Sequence, residues 1–91
     1  MIFVFTEFGR RVKDNGSGTD HGSGGMAMAI GDSVNGGLHG EFPSMKQEDL
    51  LDGDLRFNVD FRGVYSTMVE RWLGLDPVSV VGGNFEQLDF L

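Results

Sequence analysis

The sequence predicts an α/β fold built from a few strands and one main amphipathic helix. Two observations carry the strands and one the helix. Residues 1–6, MIFVFT, form a continuous apolar run rich in β-formers, the pattern of a strand covered on both faces, as in a parallel sheet. Residues 55–59, LRFNV, alternate apolar and polar, the period of a half-buried strand. Residues 61–73 place Phe61, Val64, Tyr65, Met68, Val69 and Trp72 on i, i+3, i+4, i+7, i+8 and i+11 spacing, which is one apolar helical stripe.

The elements follow in order. The opening strand begins in mid-core, which predicts a segment of a larger domain rather than a complete small one. A true edge strand is the alternative. Residues 7–25, EFGRRVKDNGSGTDHGSGG, read as a polar, glycine-rich loop with turn signals at Asn15-Gly16, Ser17-Gly18 and Gly24-Gly25. Residues 26–30, MAMAI, read as a second short strand stopped by Gly31-Asp32. Residues 34–39 suit a turn around Gly36-Gly37, and residues 41–53 a loop anchored by Leu50-Leu51. Asp60 is placed to cap the main helix, with its carboxylate accepting from an unpaired backbone N–H. Gly74 stands where a left-handed residue ends it. Asp76-Pro77 repeats a cap followed by an N1 proline for one turn through Val81, ended by Gly82-Gly83. Phe85, Leu88, Phe90 and Leu91 are too apolar for a free tail and are expected to dock.

Size and composition bound the rest. Ninety-one residues allow one domain at most, and a chain this small buries only about 60–65% of the surface its unfolded form exposes. There is no cysteine, so disulfides and thiolate metal sites are excluded, and any metal must bind through oxygen and imidazole. Seven basic residues stand against fourteen acidic ones, for a net charge of −7. That charge repels phosphate backbones and anionic bilayers, so neither nucleic acid nor membrane is expected as a partner. No apolar stretch approaches the ~20 residues that span a bilayer. Fifteen glycines are present, ten of them between Gly9 and Gly40, a regional bias around the loop that carries the chemistry.

That loop follows the first strand, and ligands of open α/β sheets gather beyond the carboxyl ends of strands. It holds Thr6-Glu7-Phe8-Gly9-Arg10 and then Thr19-Asp20-His21-Gly22. Asp20 and His21 could give two ligands to one divalent ion. Glu7 offers a third oxygen, or an acid that orients the His21 ring. Competing readings are an Asx-turn at Asp20 and a surface pair between Glu7 and Arg10 or Arg11. Arg10 could fork onto an anionic substrate oxygen or serve as a salt-bridge anchor. Asp52, Asp54 and Asp60 lack the further acids and terminal glutamate of a calcium loop.

The strings FVFTEFGRR, NGSGTDHG, GGLHGEFPS, DLRFNVDFRGVYSTMVERWLG and VVGGNFEQLDFL resemble, in order, the C-terminal part of a bacterial sulfatase-like family, the domain of unknown function 1501 family. The resemblance spans residues 1–91 and implies the alkaline phosphatase/sulfatase superfamily. It would make the chain a C-terminal fragment of an alkaline phosphatase-like three-layer domain. The implied parent is a metal-dependent phosphate or sulfate ester hydrolase, with the missing N-terminal part as partner and a divalent ion as cofactor. A non-catalytic binding or structural module on the same scaffold is the alternative.

The resemblance implies two competing mappings. In one, Asp20-His21 is similar to the superfamily's DHG metal pair. In the other, Glu7 takes the strand-end acid position and His21 the separate histidine before the next strand. His21 belongs to both. His39 reads as a surface or packing histidine. The superfamily nucleophile and further carboxylate ligands have no counterpart in these residues, so no catalytic residue is assigned and the chain alone is expected to be inactive. Family members often carry twin-arginine export signals, which implies export of the parent. The uncovered opening strand also predicts self-association through its edge, unless it turns back to pair with residues 26–30 or 55–59.

Overall fold

A computed structural model describes residues 1–91 as a small mixture of strands and helices. They form two compact units. One comprises residues 2–30 and 41–58, and the other residue 1, residues 31–40 and residues 59–91.

The first unit holds two antiparallel two-stranded sheets. β1 (Ile2–Val4) pairs with β4 (Met28–Ile30), setting Ile2 opposite Ile30 and Val4 opposite Met28. The opening run is therefore a strand that turns back to pair within residues 26–30, the alternative set against self-association. This single partner is antiparallel and leaves the strand uncovered on one face. Alternation puts Ile2, Val4, Met28 and Ile30 on one face, and all four are exposed. No third strand or helix of this unit lies over them, because the intervening chain folds into a sheet of its own.

That second sheet occupies the stretch expected to be a loop. β2 (Gly9–Asp14) and β3 (Thr19–Gly22) form a hairpin. Its tip is closed by Asn15 N–H donating to the Gly18 carbonyl at 2.8 Å, and Gly16 and Gly18 both have positive φ. The glycine pairs thus mark a hairpin turn within strand, not an extended loop.

Further along, Leu51 and Asp54 bridge across Asp52 and Gly53, whose φ values are 50° and 77°. Two central residues at positive φ make a two-residue hairpin turn, for which Asp-Gly is a preferred pair. The strand expected over residues 55–59 does not form. Its alternating pattern finds no partner strand, and Leu55 instead lies against the backbone of Gly24.

In the second unit, α1 (Phe61–Thr67) starts on Asp60, whose carboxylate accepts from Arg62 N–H at 2.9 Å. The helix continues through Met68–Trp72 as a π-helical turn, closed by Leu73 N–H on the Met68 carbonyl at 3.0 Å. Gly74 ends it with φ of 67°. α2 (Pro77–Val81) starts on Asp76, which accepts from Val78 N–H and from the Ser79 hydroxyl. Gly82 closes it in the left-handed region with φ of 91°, a conformation that costs glycine little.

The buried face of this helix differs from the expected one. Phe61 is 64% and Trp72 45% exposed, and of the expected stripe only Val69 is buried, alongside Ser66 and Thr67. The cause is the path of residues 85–91, which dock on the small-residue face. A Cβ at Gly63 would overlap the Glu86 carbonyl oxygen, so only glycine admits that approach. Thr67 and Arg71 hold the segment one and two turns further on, and Phe90 is buried at 6% exposure. Phe61, Tyr65, Met68 and Trp72 instead line one side of an open apolar groove of about 500 Å³, with Val80 and Val81 opposite.

Candidate functional site

The β2–β3 hairpin gathers most of the chemistry-bearing residues expected from sequence. Arg10 and His21 are directly opposite each other in its register. Cross-strand neighbours share a face at a Cβ separation of about 5 Å, so a guanidinium and an imidazole emerge together. The His21 ring packs on Phe8, with centroids 4.5 Å apart and planes 36° from parallel. This contact fixes the imidazole without using a ring nitrogen. Arg10 Nη1 donates to the Thr19 carbonyl at 2.7 Å, which ties one arm of the fork and leaves other donors exposed.

Asp20 does not join them. Adjacent strand residues point to opposite faces, and the Asp20 carboxylate accepts from Asn15 Nδ2 at 2.8 Å at the hairpin tip. Glu7 lies in the bend between β1 and β2, exposed and with its carboxylate unpaired. Between the Arg10–His21 and Asp14–Thr19 pairs, β2 carries three residues against Asp20 alone. Such a bulge locally re-aims side chains.

The groups present do not fit a self-contained metal centre. No three carboxylate or imidazole side chains of the chain converge on one point. His21 with Arg10 is the assembled pair, Glu7 is nearby in sequence, and Asp20 is engaged elsewhere.

Sequence reasoning weighed Asp54 only as one acid of a cluster unlike a calcium loop and missed that it organises the base of the hairpin. Its Oδ2 accepts from Ser23 N–H at 3.0 Å and from the Ser23 hydroxyl at 3.1 Å, and its Oδ1 from Leu55 N–H at 2.8 Å. Arg11 Nη1 is 3.9 Å away, and Arg11 also donates to the Asp52 carbonyl. Partial burial works to raise the Asp54 carboxyl, but the Ser23 bonds, the Leu55 N–H and the Arg11 charge outweigh it and hold it below 3.8. The Asp52-Gly53 turn was the available signal, since a tight turn at that point swings Asp54 back towards the end of β3.

The remaining residues have structural places. His39 Nε2 lies 2.8 Å from the Asn35 carbonyl, and its ring meets Phe90 edge-on at 6.2 Å, a packing histidine. Asp60 caps α1 and pairs with Arg62 at 2.7 Å. Arg62 in turn lies 4.3 Å from the Phe85 ring centroid, within cation–π range. No helix is long and apolar enough to cross a membrane.

Comparison with known families matches residues 1–85 to the family described as Protein of unknown function (DUF1501). No curated protein and no solved structure matches the chain.

Proposed function

We propose, from the premise that the chain belongs to the DUF1501 family, that it contributes one side of a phosphate- or sulfate-ester hydrolase site of the alkaline phosphatase/sulfatase type. In this reading the 91 residues are a C-terminal portion of a larger three-layer domain. The observation that carries it is the pairing of Arg10 with His21 across the hairpin, beside the bend that holds Glu7. An anionic ester oxygen suits the free donors of Arg10, because guanidinium presents a planar fork. His21 suits a divalent ion, because imidazole is a nitrogen ligand and its ring is held by Phe8 and not by its nitrogens.

Of the two ligand mappings, the one with Glu7 and His21 is carried forward, because the Asp20 carboxylate is engaged by Asn15 at the hairpin tip. The ion would need further ligands from outside these residues, as would the nucleophile. A second reading, a binding or structural module on the same scaffold, is favoured by the exposed apolar face of Ile2, Val4, Met28 and Ile30, which a hydrolytic role does not require.

The test is a zinc or manganese titration followed through the His21 ring resonances, with His21→Ala and Asp20→Ala beside the unaltered chain. Weak binding that shifts His21 and survives Asp20→Ala is expected, together with no turnover of an aryl phosphate or sulfate. An unmoved His21 at millimolar metal opposes the metal assignment. Metal-dependent turnover lost in His21→Ala would show that the chain is a complete catalyst.

A further inference from the structure

We propose that the tip of the β2–β3 hairpin is a site of spontaneous covalent modification, at which Asn15 cyclises onto the Gly16 nitrogen and hydrolyses to aspartate or isoaspartate. The inference is independent of the hydrolase reading. It rests on three groups placed around one bond. Gly16 N–H, the nucleophile, donates to Asp14 Oδ1 at 2.6 Å, so a base sits on the proton that must leave. The Asn15 side-chain oxygen accepts from Ser17 N–H at 3.0 Å and from the Ser17 hydroxyl at 3.3 Å, so donors already face the oxygen on which negative charge develops. Asn15 Nδ2, the leaving group, is held towards Asp20 Oδ1 at 2.8 Å and is exposed to water. Gly16 itself, with φ of 100°, has no side chain to obstruct the attack.

The step balances within the chain and water. The Gly16 nitrogen bonds to Asn15 Cγ as its proton passes to Asp14, and the carbonyl electron pair moves onto Oδ1 under the Ser17 donors. Collapse re-forms the carbonyl and breaks the Cγ–Nδ2 bond. The amine leaves as ammonia, taking the proton back, and a cyclic imide remains. Water then opens the imide at either carbonyl, giving aspartate or isoaspartate. The sum is asparagine plus water to the acid plus ammonia, with no oxidant or cofactor.

The chain carries its own control. Asn35-Gly36 is the same dipeptide, yet its surroundings differ. Asn35 N–H donates to the Phe90 carbonyl and Asn35 Nδ2 to the Asp89 carbonyl, both at 2.8 Å, and its own carbonyl meets the His39 ring. These bonds pin the residue. No carboxylate accepts from Gly36 N–H, and no donor faces the Asn35 side-chain oxygen.

Conversion at Asn15 removes the amide that holds Asp20 and sets a new carboxylate between Asp14 and Asp20. Like charges then repel at the tip, and Asp20 loses its Asn15 partner.

The experiment ages the full chain at neutral pH in water enriched in heavy oxygen, then maps peptides by fragmentation spectra that separate Asn15 from Asn35. Native Asn15 is expected to convert about tenfold faster than Asn35, well short of the ~100-fold a positioned base supplies in an enclosed site. In concentrated urea the two rates should converge, and Asp14→Ala should bring the Asn15 rate towards that of Asn35. Equal rates in the native chain, a rate ratio that survives urea, or an unchanged Asn15 rate in Asp14→Ala would each overturn the proposal.

Discussion

The Thr67 hydroxyl joins two segments that are far apart in sequence, accepting from Leu88 N–H at 3.0 Å while donating to the Gly63 carbonyl at 2.7 Å. Thr67 has no exposed surface, so neither group has water as a substitute. This one oxygen both completes the helix face and receives residues 85–91. Replacing it by the isosteric Thr67→Val leaves Leu88 N–H without its partner. Stability to urea should fall by about 1–3 kcal/mol, with amide exchange at Leu88 accelerating first, and Thr67→Ser should restore most of the loss.

The neighbouring hydroxyl predicts the opposite sign. Ser66 is buried at 1% exposure and its Oγ has no hydrogen-bond partner. Removing an unsatisfied buried polar atom relieves its desolvation cost. Ser66→Ala should therefore raise stability by about 1 kcal/mol in the same assay. An equal loss in Ser66→Ala and Thr67→Val would mean that packing volume, not hydroxyl pairing, governs this face.

Acid should weaken both units through three carboxylates. Asp60 is held below 3.8 by hydrogen bonds from the Arg62 side chain and backbone, and Asp76 by those from Ser79 and Val78. At Asp54, burial pulls upward but the Ser23, Leu55 and Arg11 contacts prevail. A carboxyl depressed in the folded state stabilises fully above its unfolded value. That contribution is lost as pH falls from 3.8 through the lower folded value. Thermal melts from pH 5 downward should show the loss, and Asp54→Asn should flatten part of it while lowering stability at neutral pH.

The β1–β4 sheet has two strands, an open edge on each, and one face of Ile2, Val4, Met28 and Ile30. Open edges and apolar patches recruit further chain, and the expected recruit is a second copy. Sedimentation velocity should show mass rising with concentration, and Val4→Lys should return the species to monomer. A monomer at every concentration would mean that the antiparallel pairing with β4 suffices to protect the strand.

Helix ends were the most legible part of the sequence. Asp60, Gly74, Asp76 and Gly82 act through their own backbone neighbours, so local chemistry decides them. What decided the helix face was not local. The apolar series from Phe61 to Trp72 marks a stripe, but which stripe is covered depends on where residues 85–91 run, and Gly63 signals that path only once Glu86 is seen against it. The hairpin was obscured for a related reason. Its strands, GRRVKD and TDHG, carry few apolar residues, because they are held by turn geometry and by Asp54 rather than by a buried face. In the candidate site, His21 and Arg10 were legible as residue types, whereas their cross-strand pairing depended on the bulge in β2. The separation of Asp20 from His21 followed from β3 being a strand at all, since in a loop the two could have pointed together.

The docking of residues 85–91 has a consequence for how this region tolerates change. Arg71 Nη1 reaches the main-chain carbonyls of Leu88 and Leu91 at 3.0 and 3.2 Å, and Thr67 receives the main-chain N–H of Leu88. The helix grips peptide groups, which every residue but proline presents alike. Side chains add to this hold at Phe90, which is buried, at Phe85, whose ring lies against the Arg62 guanidinium, and at Gln87 and Asp89, which meet Glu70 and Arg71. A one-residue deletion between Phe85 and Leu88 would shift all of these main-chain contacts out of register at once, whereas a single substitution there removes at most one side-chain contact.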